Sequence, residues 1–413
     1  MTPLARRVQR TYLALTVGNT LAAAFIWGIN TLFLLDAGLS NVEAFAANAF
    51  FTAGMVLFEV PTGVVADSRG RRASYLLGTL TLAGSTALYW VLWRVEGPFW
   101  AWAVVSVLLG LGFTFFSGAV EAWLVDALRA TGYAGELEPV FARGQVAGGV
   151  AMLVGSVAGG AVAQVTDLAV PFLLRVAVLL VMFVVAAVLM RDLGFTPAAH
   201  ARPGAAVRAI LAQSLHHGLG NPPVRWLMLA APFVSGVGVY AFYAMQPFLL
   251  ELYGDPDAYA VAGLAAAVVA GSQIVGGALA TRVRRLVHRR TTILVAGTAA
   301  GAATLALLGL ADAFGLALGL LVLWGVAAAA VTPVRQAYLN DLVPSEQRAT
   351  LLSFDSLVGS VGGVVVQPAL GRAADVWGYG ASYLIGAGIN LLALPFLVAS
   401  RRRRSPADVG GGA

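Results

Sequence analysis

Apolar runs of about 20 to 30 residues recur from one end of the chain to the other. Each is long enough to cross a hydrocarbon core of roughly 30 Å as a helix that rises 1.5 Å per residue. With 59% hydrophobic and 11% charged residues, the chain has too few charges to cover a water-soluble domain. The sequence therefore predicts an integral membrane protein built from helices, since strands of a membrane barrel would alternate over only about ten residues.

The apolar runs predict twelve membrane-spanning segments. The first is longer than the apolar core of a cleaved signal peptide, which is about 7 to 15 residues, so we expect it to remain in the protein. The twelve segments lie near residues 11–35, 42–66, 73–93, 98–127, 142–165, 169–190, 224–251, 259–280, 291–311, 314–340, 349–370 and 380–399.

Arginine supplies all 26 basic residues, because the chain contains no lysine. If both termini are cytoplasmic, these arginines fall in or beside cytoplasmic loops and ends, except Arg94, Arg175 and Arg372. This bias predicts a multi-pass protein of the inner (plasma) membrane with both termini in the cytoplasm. We expect Arg175 to reach the outer headgroups from a peripheral helix. The net charge of +6 follows from this topology and does not indicate a nucleic-acid partner.

Short motifs of the first half return in the same order in the second half. Small residues at such spacing are common in packed membrane helices, so the order of the matches carries the argument. The pairs are FLLD (33–36) with FLLE (248–251), AWLVD (122–126) with AYLND (337–341), and LVGSVAGG (153–160) with LVGSVGG (357–363). The repeat predicts four regions: an N-terminal six-helix bundle (1–191), a cytoplasmic linker (192–223), a C-terminal six-helix bundle (224–400) and a cytoplasmic tail (401–413), disordered from residue 405.

One turn between apolar segments, within residues 58–77, has an unusual charge pattern. It reads Gly63-x-x-x-Asp67-x-x-Gly70-Arg71-Arg72. Gly63 would let another backbone approach a helix end, and Gly70 permits the left-handed geometry of a tight turn. The arginines suit an anionic headgroup layer. An ordinary positive-inside loop accounts for the arginines but not for an acid placed between two glycines.

This turn resembles the loop between the second and third helices of the major facilitator superfamily of transporters, although serine follows Asp67 where a basic residue is usual. The resemblance implies an all-α membrane protein with twelve transmembrane helices in two pseudo-symmetric six-helix bundles. It also implies a conformational latch that forms when the cytoplasmic side is closed. In that latch Asp67 would dock near Arg348 at the start of the eleventh helix, and Arg71 or Arg72 would reach Asp126.

Five of the charged residues within apolar segments stand out, because a charge there costs at least a few kcal/mol unless it is paired or lines water. They are Glu59, Glu121, Arg175, Arg335 and Asp355. We interpret all but Arg175 as candidates for proton coupling, because neutralising an acid can change which closed state is preferred. Glu59 is close enough to the membrane edge for a structural pairing instead. Arg335 and Asp355 could equally form a structural pair between neighbouring helices.

Neutral polar and aromatic residues supply candidates for substrate binding. As a set they favour a cavity for an amphipathic, partly apolar molecule, although each alone is more often a packing residue or an interface anchor. The candidates are Asn19, Trp27 and Asn30 in the first segment, Phe113 and Phe116 in the fourth, Tyr240, Tyr243 and Gln246 in the seventh, and Gln336 in the tenth.

The sequence does not favour an enzyme. It has no cysteine, its four histidines fall in predicted cytoplasmic loops, and no metal-ligand, nucleophile or phosphate-binding motif is present. We therefore expect no enzymatic activity, no metal and no cofactor. The expected partners of a monomeric carrier are a small-molecule substrate, protons and the lipid bilayer.

The small-residue stretches 148–160 and 359–363 resemble the glycine-rich fifth-helix motif of twelve-helix bacterial drug/proton antiporters, although the usual Gly-Pro pair is missing and close helix packing also explains them. The resemblance implies a secondary active transporter that couples protons to efflux of small amphipathic compounds by alternating access. Two alternatives stay open. One is a proton-coupled uptake carrier for a small metabolite, and the other is a non-transporting membrane receptor on the same fold.

Overall fold

The computed structural model describes residues 2–197, 220–343 and 348–409, and the regular secondary structure in these ranges is helical. The helices are α1 (Pro3–Trp27), α2 (Asn30–Asp36), α3 (Asn41–Arg69), α4 (Arg71–Arg94), α5 (Phe99–Thr114), α6 (Ala119–Ala130), α7 (Glu138–Val165), α8 (Val170–Leu189), α9 (Pro222–Tyr253), α10 (Tyr259–Leu286), α11 (Arg290–Gly309), α12 (Phe314–Leu342), α13 (Arg348–Leu391) and α14 (Leu394–Arg402).

Within the described residues, ten helical spans are long and apolar enough to cross a bilayer, and α1 with α2, bent by 47°, makes an eleventh. The last span has 52 residues, more than twice the roughly 20 that one crossing requires. Gly378 breaks it with a φ of 82° and a ψ of 168°. This span therefore corresponds to the two segments expected at 349–370 and 380–399.

Three of the expected segments are interrupted by short breaks. The first passes from α1 to α2 across residues 28–29, the fourth passes from α5 to α6 across residues 115–118, where Gly118 has a φ of 66°, and the twelfth passes from α13 to α14 across residues 392–393. Hydropathy does not detect these breaks, because apolar residues continue through them. The helix α10 also extends to Leu286, beyond the expected end at 280, because its arginine-bearing last turns stay helical after the apolar run ends.

One compact unit contains Met1–Gly38, Phe50–Ala206 and Ala258–Ala267. Within it α1 packs along α7 and α8, while α4 packs along α8 and α5. The backbones of α1 and α7 approach so closely that a Cβ at Gly159 would overlap the carbonyl oxygen of Phe25. The small residues at 153–160 therefore serve close helix packing, one of the two interpretations of that motif.

The other unit contains Leu39–Ala49, Val207–Asp257 and Val268–Ala413. Here α9 packs along α13, and a Cβ at Gly362 would overlap the carbonyl oxygen of Pro232. The repeated motif at 357–363 thus makes the same kind of backbone contact as its first-half copy. Large buried side chains form a core beside it: Leu227, Met228, Leu294, Tyr338, Leu339, Phe354 and Leu397.

The prediction that Arg175 reaches the outer headgroups is wrong. The residue is only 6% exposed. The buried residues of α8 recur every three or four positions and include Phe172, Arg175, Leu179 and Met182. Arg175 therefore belongs to the face of α8 that packs against other helices.

The end of the chain is ordered as far as Val409, where disorder was expected from residue 405 onward. After α14 the chain forms a 3₁₀ turn, Pro406–Asp408, and Asp408 is only 2% exposed. Its carboxylate accepts hydrogen bonds from the Thr291 N–H (2.7 Å) and the Thr291 hydroxyl (2.9 Å) at the start of α11. The Arg284 guanidinium donates to the Val409 carbonyl. A carboxylate that caps a helix N-terminus holds this segment in place.

Candidate functional site

Gly70 joins α3 to α4 in a tight turn, with Asp67 in the last turn of α3 and Arg71 as the first residue of α4. Asp67 and Arg71 form an ion pair (Oδ1 to Nη1, 2.5 Å), and the Asp67 side chain is about half exposed. Gly70 has a φ of 101° and a ψ of 155°, a conformation that is essentially restricted to glycine. The tight turn expected at Gly70 is confirmed.

Sequence reasoning missed Asp192, an acid that closes this turn. Its carboxylate accepts a hydrogen bond from the Arg72 N–H (3.0 Å) in the first turn of α4, where the helix dipole favours a negative charge. A Cβ at Gly70 would overlap this carboxylate. The Arg72 guanidinium donates to the carbonyl of Ala187 (2.5 Å) in α8. The signal in the sequence was an acid directly after Arg191 at the end of an apolar segment.

The remaining latch residues are placed differently from the expectation. Neither Arg71 nor Arg72 pairs with Asp126, because α3 and α8 supply their partners. Asp126 makes no hydrogen bond or ion pair with another described residue. No described atom lies within 4 Å of a Cβ at Gly63, so the close backbone approach expected there is absent from this structure. The side chain of Arg348 lies outside the described residues, and docking of Asp67 near it stays a prediction.

The structure brings Arg335 and Asp355 together as a bidentate ion pair. The Nη1 and Nη2 atoms of Arg335 donate to the two carboxylate oxygens of Asp355 at 2.7 and 2.6 Å. The pair joins α12 to α13, and Arg335 also lies 3.4 Å from the Leu227 carbonyl of α9. The Asp355 side chain is 9% exposed and that of Arg335 27%. A negative charge is therefore held within a membrane span by one matched cation.

The two other candidate acids lie on the first-half helices, and neither has an arginine partner among the described residues. Glu59 accepts a hydrogen bond from the Ser117 hydroxyl (2.6 Å), which ties α3 to the break between α5 and α6. Glu121 lies in the first turn of α6 and is exposed. Its carboxylate is within electrostatic range of Tyr12 in α1, and it makes no hydrogen bond or ion pair with the described residues.

The aromatic candidates of the first half contact other rings. Phe113 packs edge-on against Phe51 with centroids 5.7 Å apart, and Phe116 packs edge-on against Tyr75 at 4.9 Å. Phe116 is 9% exposed and Phe113 38%, so Phe113 offers more surface to a ligand. The other three candidates of this half are partly buried on α1 and α2: Asn19, Trp27 and Asn30.

The second-half candidates divide by burial. Tyr240 and Gln246 are fully buried in α9, and the Tyr240 hydroxyl hydrogen bonds with Ser382. Tyr243 is partly buried, while Gln336 is exposed on α12. The interior contacts of Tyr240 favour a packing role, and Gln336 has the most accessible side chain of the four.

A further contact not expected from the sequence lies at the start of α3. The backbone N–H groups of Asn41 and Val42 each donate to a carboxylate oxygen of Asp375 at 2.9 Å. The Tyr379 hydroxyl donates to the side-chain oxygen of Asn41. Asp375, on α13, thus caps the N-terminus of α3, a position favoured by the helix dipole.

Ionisable side chains inside long apolar helices define the class as a polytopic α-helical membrane protein with candidate ion-handling sites. The family model described as Major Facilitator Superfamily matches residues 12–365 and again residues 285–412. The chain therefore belongs to the Major Facilitator Superfamily. The family and fold expected from the turn at Asp67 and from the twelve segments are confirmed, and the family is one of membrane transporters.

Three solved structures illustrate the shared fold. The nucleoside transporter NupG aligns with a TM-score of 0.78 at 12% identity, over 97% of this chain and 100% of that chain. A bacterial homolog to the human lysosomal transporter Spinster aligns with 0.74 at 16% identity, over 100% of both chains. A D-xylose-proton symporter aligns with 0.66 at 15% identity, over 95% and 96%. No curated protein sequence matches the chain significantly.

Proposed function

We propose that the protein is a proton-coupled secondary transporter that exports small amphipathic compounds by alternating access. The observation that carries this proposal is the ion pair of Arg335 and Asp355 within the spans of α12 and α13. Family membership supports transport, and the paired acid supplies a group that can gain or lose a proton away from bulk water.

Protonation of Asp355 would remove the negative charge that balances Arg335. Since two oxygens of Asp355 bind one guanidinium, its neutral form would keep at most part of this contact and leave Arg335 less well paired. A conformation in which Arg335 finds another partner, such as water or substrate, would then gain population. Proton uptake and a change of conformation are linked in this way.

Glu121 is the second proton carrier of this proposal. Its carboxylate is exposed on α6 and bound by no described cation. A proton or a cationic substrate can therefore reach it without breaking an existing ion pair. In an exporter, competition between a proton and an amphipathic cation for one carboxylate would couple their opposite movements.

We also propose that both termini lie in the cytoplasm, that the membrane is the inner (plasma) membrane and that the transporter acts as a monomer. The arginines at both ends of the chain and in the α10–α11 connection support this orientation.

The test uses everted membrane vesicles that contain the full chain, an imposed pH gradient and a fluorescent lipophilic cation. We expect uptake into the vesicles that an uncoupler abolishes. Glu121→Gln should abolish gradient-driven transport while the protein stays folded and inserted. Glu136→Gln, which neutralises an exposed loop acid, is the matched control and should keep full activity. Full gradient-driven transport by the Glu121→Gln variant would remove Glu121 from the mechanism.

Proton-coupled uptake of a small metabolite is a second candidate. The likeness to the structure of a D-xylose-proton symporter favours it. The direction of substrate movement separates the two functions, because an exporter exchanges protons for substrate whereas a symporter moves both the same way. In the same vesicles, an uptake carrier would release preloaded substrate together with protons, and no lipophilic cation would accumulate.

A further inference from the structure

A groove of about 450 Å³ lies between the first turns of α9 and one face of α14. Its wall combines apolar and basic side chains: Trp226, Pro395, Val398, Ala399, Arg402 and Arg403. The volume is sufficient for a small polar group and part of an alkyl chain. None of these residues belongs to the latch, the coupling candidates or the expected substrate site.

The polar donors of the groove have no partner among the described residues. Arg402 and Arg403 are exposed and form no ion pair or side-chain hydrogen bond there. The Trp226 Nε1 atom is buried, yet its N–H donates to no described acceptor. A buried donor without an acceptor is unfavourable. These three side chains therefore point to a ligand that carries negatively charged oxygen atoms.

A third guanidinium, that of Arg225, lies beside Trp226 and outside the groove lining. The Arg225 guanidinium carbon lies 4.9 Å from the centroid of the Trp226 ring, and the Arg225 Nε atom is buried without a described acceptor. Both residues lie within four positions of Pro222, the first residue of α9, about 6 Å along the helix. Arginine and tryptophan at the end of an apolar helix are typical of the headgroup layer of a membrane.

We infer that this groove binds the headgroup of an acidic phospholipid such as phosphatidylglycerol. Arg402, Arg403 and the Trp226 N–H would bind the oxygens of the phosphodiester, and the apolar side chains of Val398 and Ala399 would contact the start of an acyl chain. A free phosphate would leave this apolar wall in contact with water. The lipid headgroup is therefore the better match, as for other basic pockets between membrane helices.

The full chain is purified from nanodiscs of phosphatidylglycerol and phosphatidylcholine. Native mass spectrometry then measures how much phosphatidylglycerol the protein retains. R402Q/R403Q should lower retention at least about fivefold. R401Q/R404Q removes the same charge from the same arginine run without changing the groove lining, and should lower retention by a clearly smaller factor. Equal losses in the two double variants would show attraction of the lipid by general charge and would overturn the site.

Trp226→Phe provides a second test that leaves the charge unchanged. It keeps an aromatic ring but removes the N–H donor, so we expect weaker retention of phosphatidylglycerol with unchanged retention of zwitterionic phosphatidylcholine. Unchanged retention of both lipids would contradict the role of the indole. Soluble glycerophosphoglycerol should not displace the lipid at equal concentration, and full displacement would identify a free phosphodiester as the ligand and overturn the lipid proposal.

Discussion

At the residue scale, Gly70 is the position of the α3–α4 turn that tolerates change least. Its φ of 101° and ψ of 155° cost a residue with a side chain about 1–3 kcal/mol. A Cβ would also displace the Asp192 carboxylate from the start of α4. We expect Gly70→Ala to lower the free energy of unfolding by at least about 2 kcal/mol, measured as thermal unfolding in detergent micelles.

Gly84→Ala is the matched control for Gly70→Ala. Gly84 lies in the interior of α4, and no described atom is within 4 Å of a Cβ placed there. Alanine favours the helix over glycine by roughly 1 kcal/mol, so this variant should be as stable as the parent or more stable. Equal stability of the two variants would contradict the role assigned to the Gly70 backbone.

The ion pair of Arg335 and Asp355 allows a second residue-scale prediction. Asp355→Asn would leave Arg335 without its charge partner and should destabilise the protein by about 3 kcal/mol, since a broken buried pair typically costs that much. R335Q/D355N removes both charges, so it should recover most of the stability measured by thermal unfolding.

The double variant also separates structure from coupling. If Asp355 handles protons, R335Q/D355N should fold and exchange substrate between two sides at equal pH, yet fail to accumulate it in a pH gradient. Retained gradient-driven accumulation would make the pair purely structural. An unchanged unfolding temperature of the single variant Asp355→Asn would show instead that the pair contributes nothing to stability.

The sequence predicted some of these residues and not others, for a physical reason. The role of Gly70 could be predicted because the backbone conformation of a tight turn depends on local sequence. Arg335 and Asp355 were recognisable because a charge in an apolar span needs a partner. Asp192 was missed because its role depends on where α8 ends relative to α4, a long-range packing arrangement. In this structure Arg71 and Arg72 have partners in α3 and α8, and their pairing with Asp126 in the cytoplasm-closed state stays a prediction.

At the scale of the elements, the chain end stabilises α11 and its neighbours. Asp408 caps α11, and Arg290, the first residue of α11, binds Asp341 of α12 (2.6 Å) and the Ala407 carbonyl (3.0 Å). A chain that ends at Arg404 should unfold more easily by about 1–2 kcal/mol, because it loses the Asp408 cap and the Ala407 contact, while the Arg290–Asp341 pair is kept.

The matched control is a chain that ends at Val409, which keeps every described contact of this segment. Hydrogen exchange at the first amides of α11 is the second measurement, and it should become faster in the shorter chain alone. Identical exchange in the two chains would mean that Asp408 does not hold the start of α11.

Helix boundaries could be predicted from the sequence where the composition changes from apolar to polar. They could not be predicted where the helix backbone breaks within an apolar run. The arginine-flanked ends and the twelve apolar runs follow from the cost of placing polar groups in lipid. The breaks after α1 and after α5 do not, because the hydropathy stays high across both. The helix break at Gly378 lies in a stretch of lower hydropathy, so the last two segments could be distinguished from the sequence.

At the scale of the whole molecule, the turn at Asp67 is expected to set the balance between cytoplasm-open and cytoplasm-closed states. Asp67→Asn should raise the labelling of single cysteines introduced at the cytoplasmic mouth. A change of 1 to 2 kcal/mol would alter the ratio of the two states by roughly 5- to 30-fold. The chain has no native cysteine, so every label reports the introduced position.

Glu136→Gln is the control for this experiment, since it removes one exposed acid from another loop and should leave labelling unchanged. In this structure the Asp67 carboxylate, which is about half exposed, binds Arg71, and such a surface pair contributes little to stability. Any large change in labelling would therefore come from the conformational balance. An unchanged labelling pattern in Asp67→Asn would remove the latch.

The capped chain end has a practical consequence for how this transporter is handled. A fluorescent reporter or purification tag joined directly after Val409 would displace the Asp408 carboxylate that caps α11. The start of that helix would then be less stable. A flexible spacer should therefore precede the fusion partner in proteins made for assay. A difference in melting behaviour between spaced and unspaced fusions would reveal the strain directly.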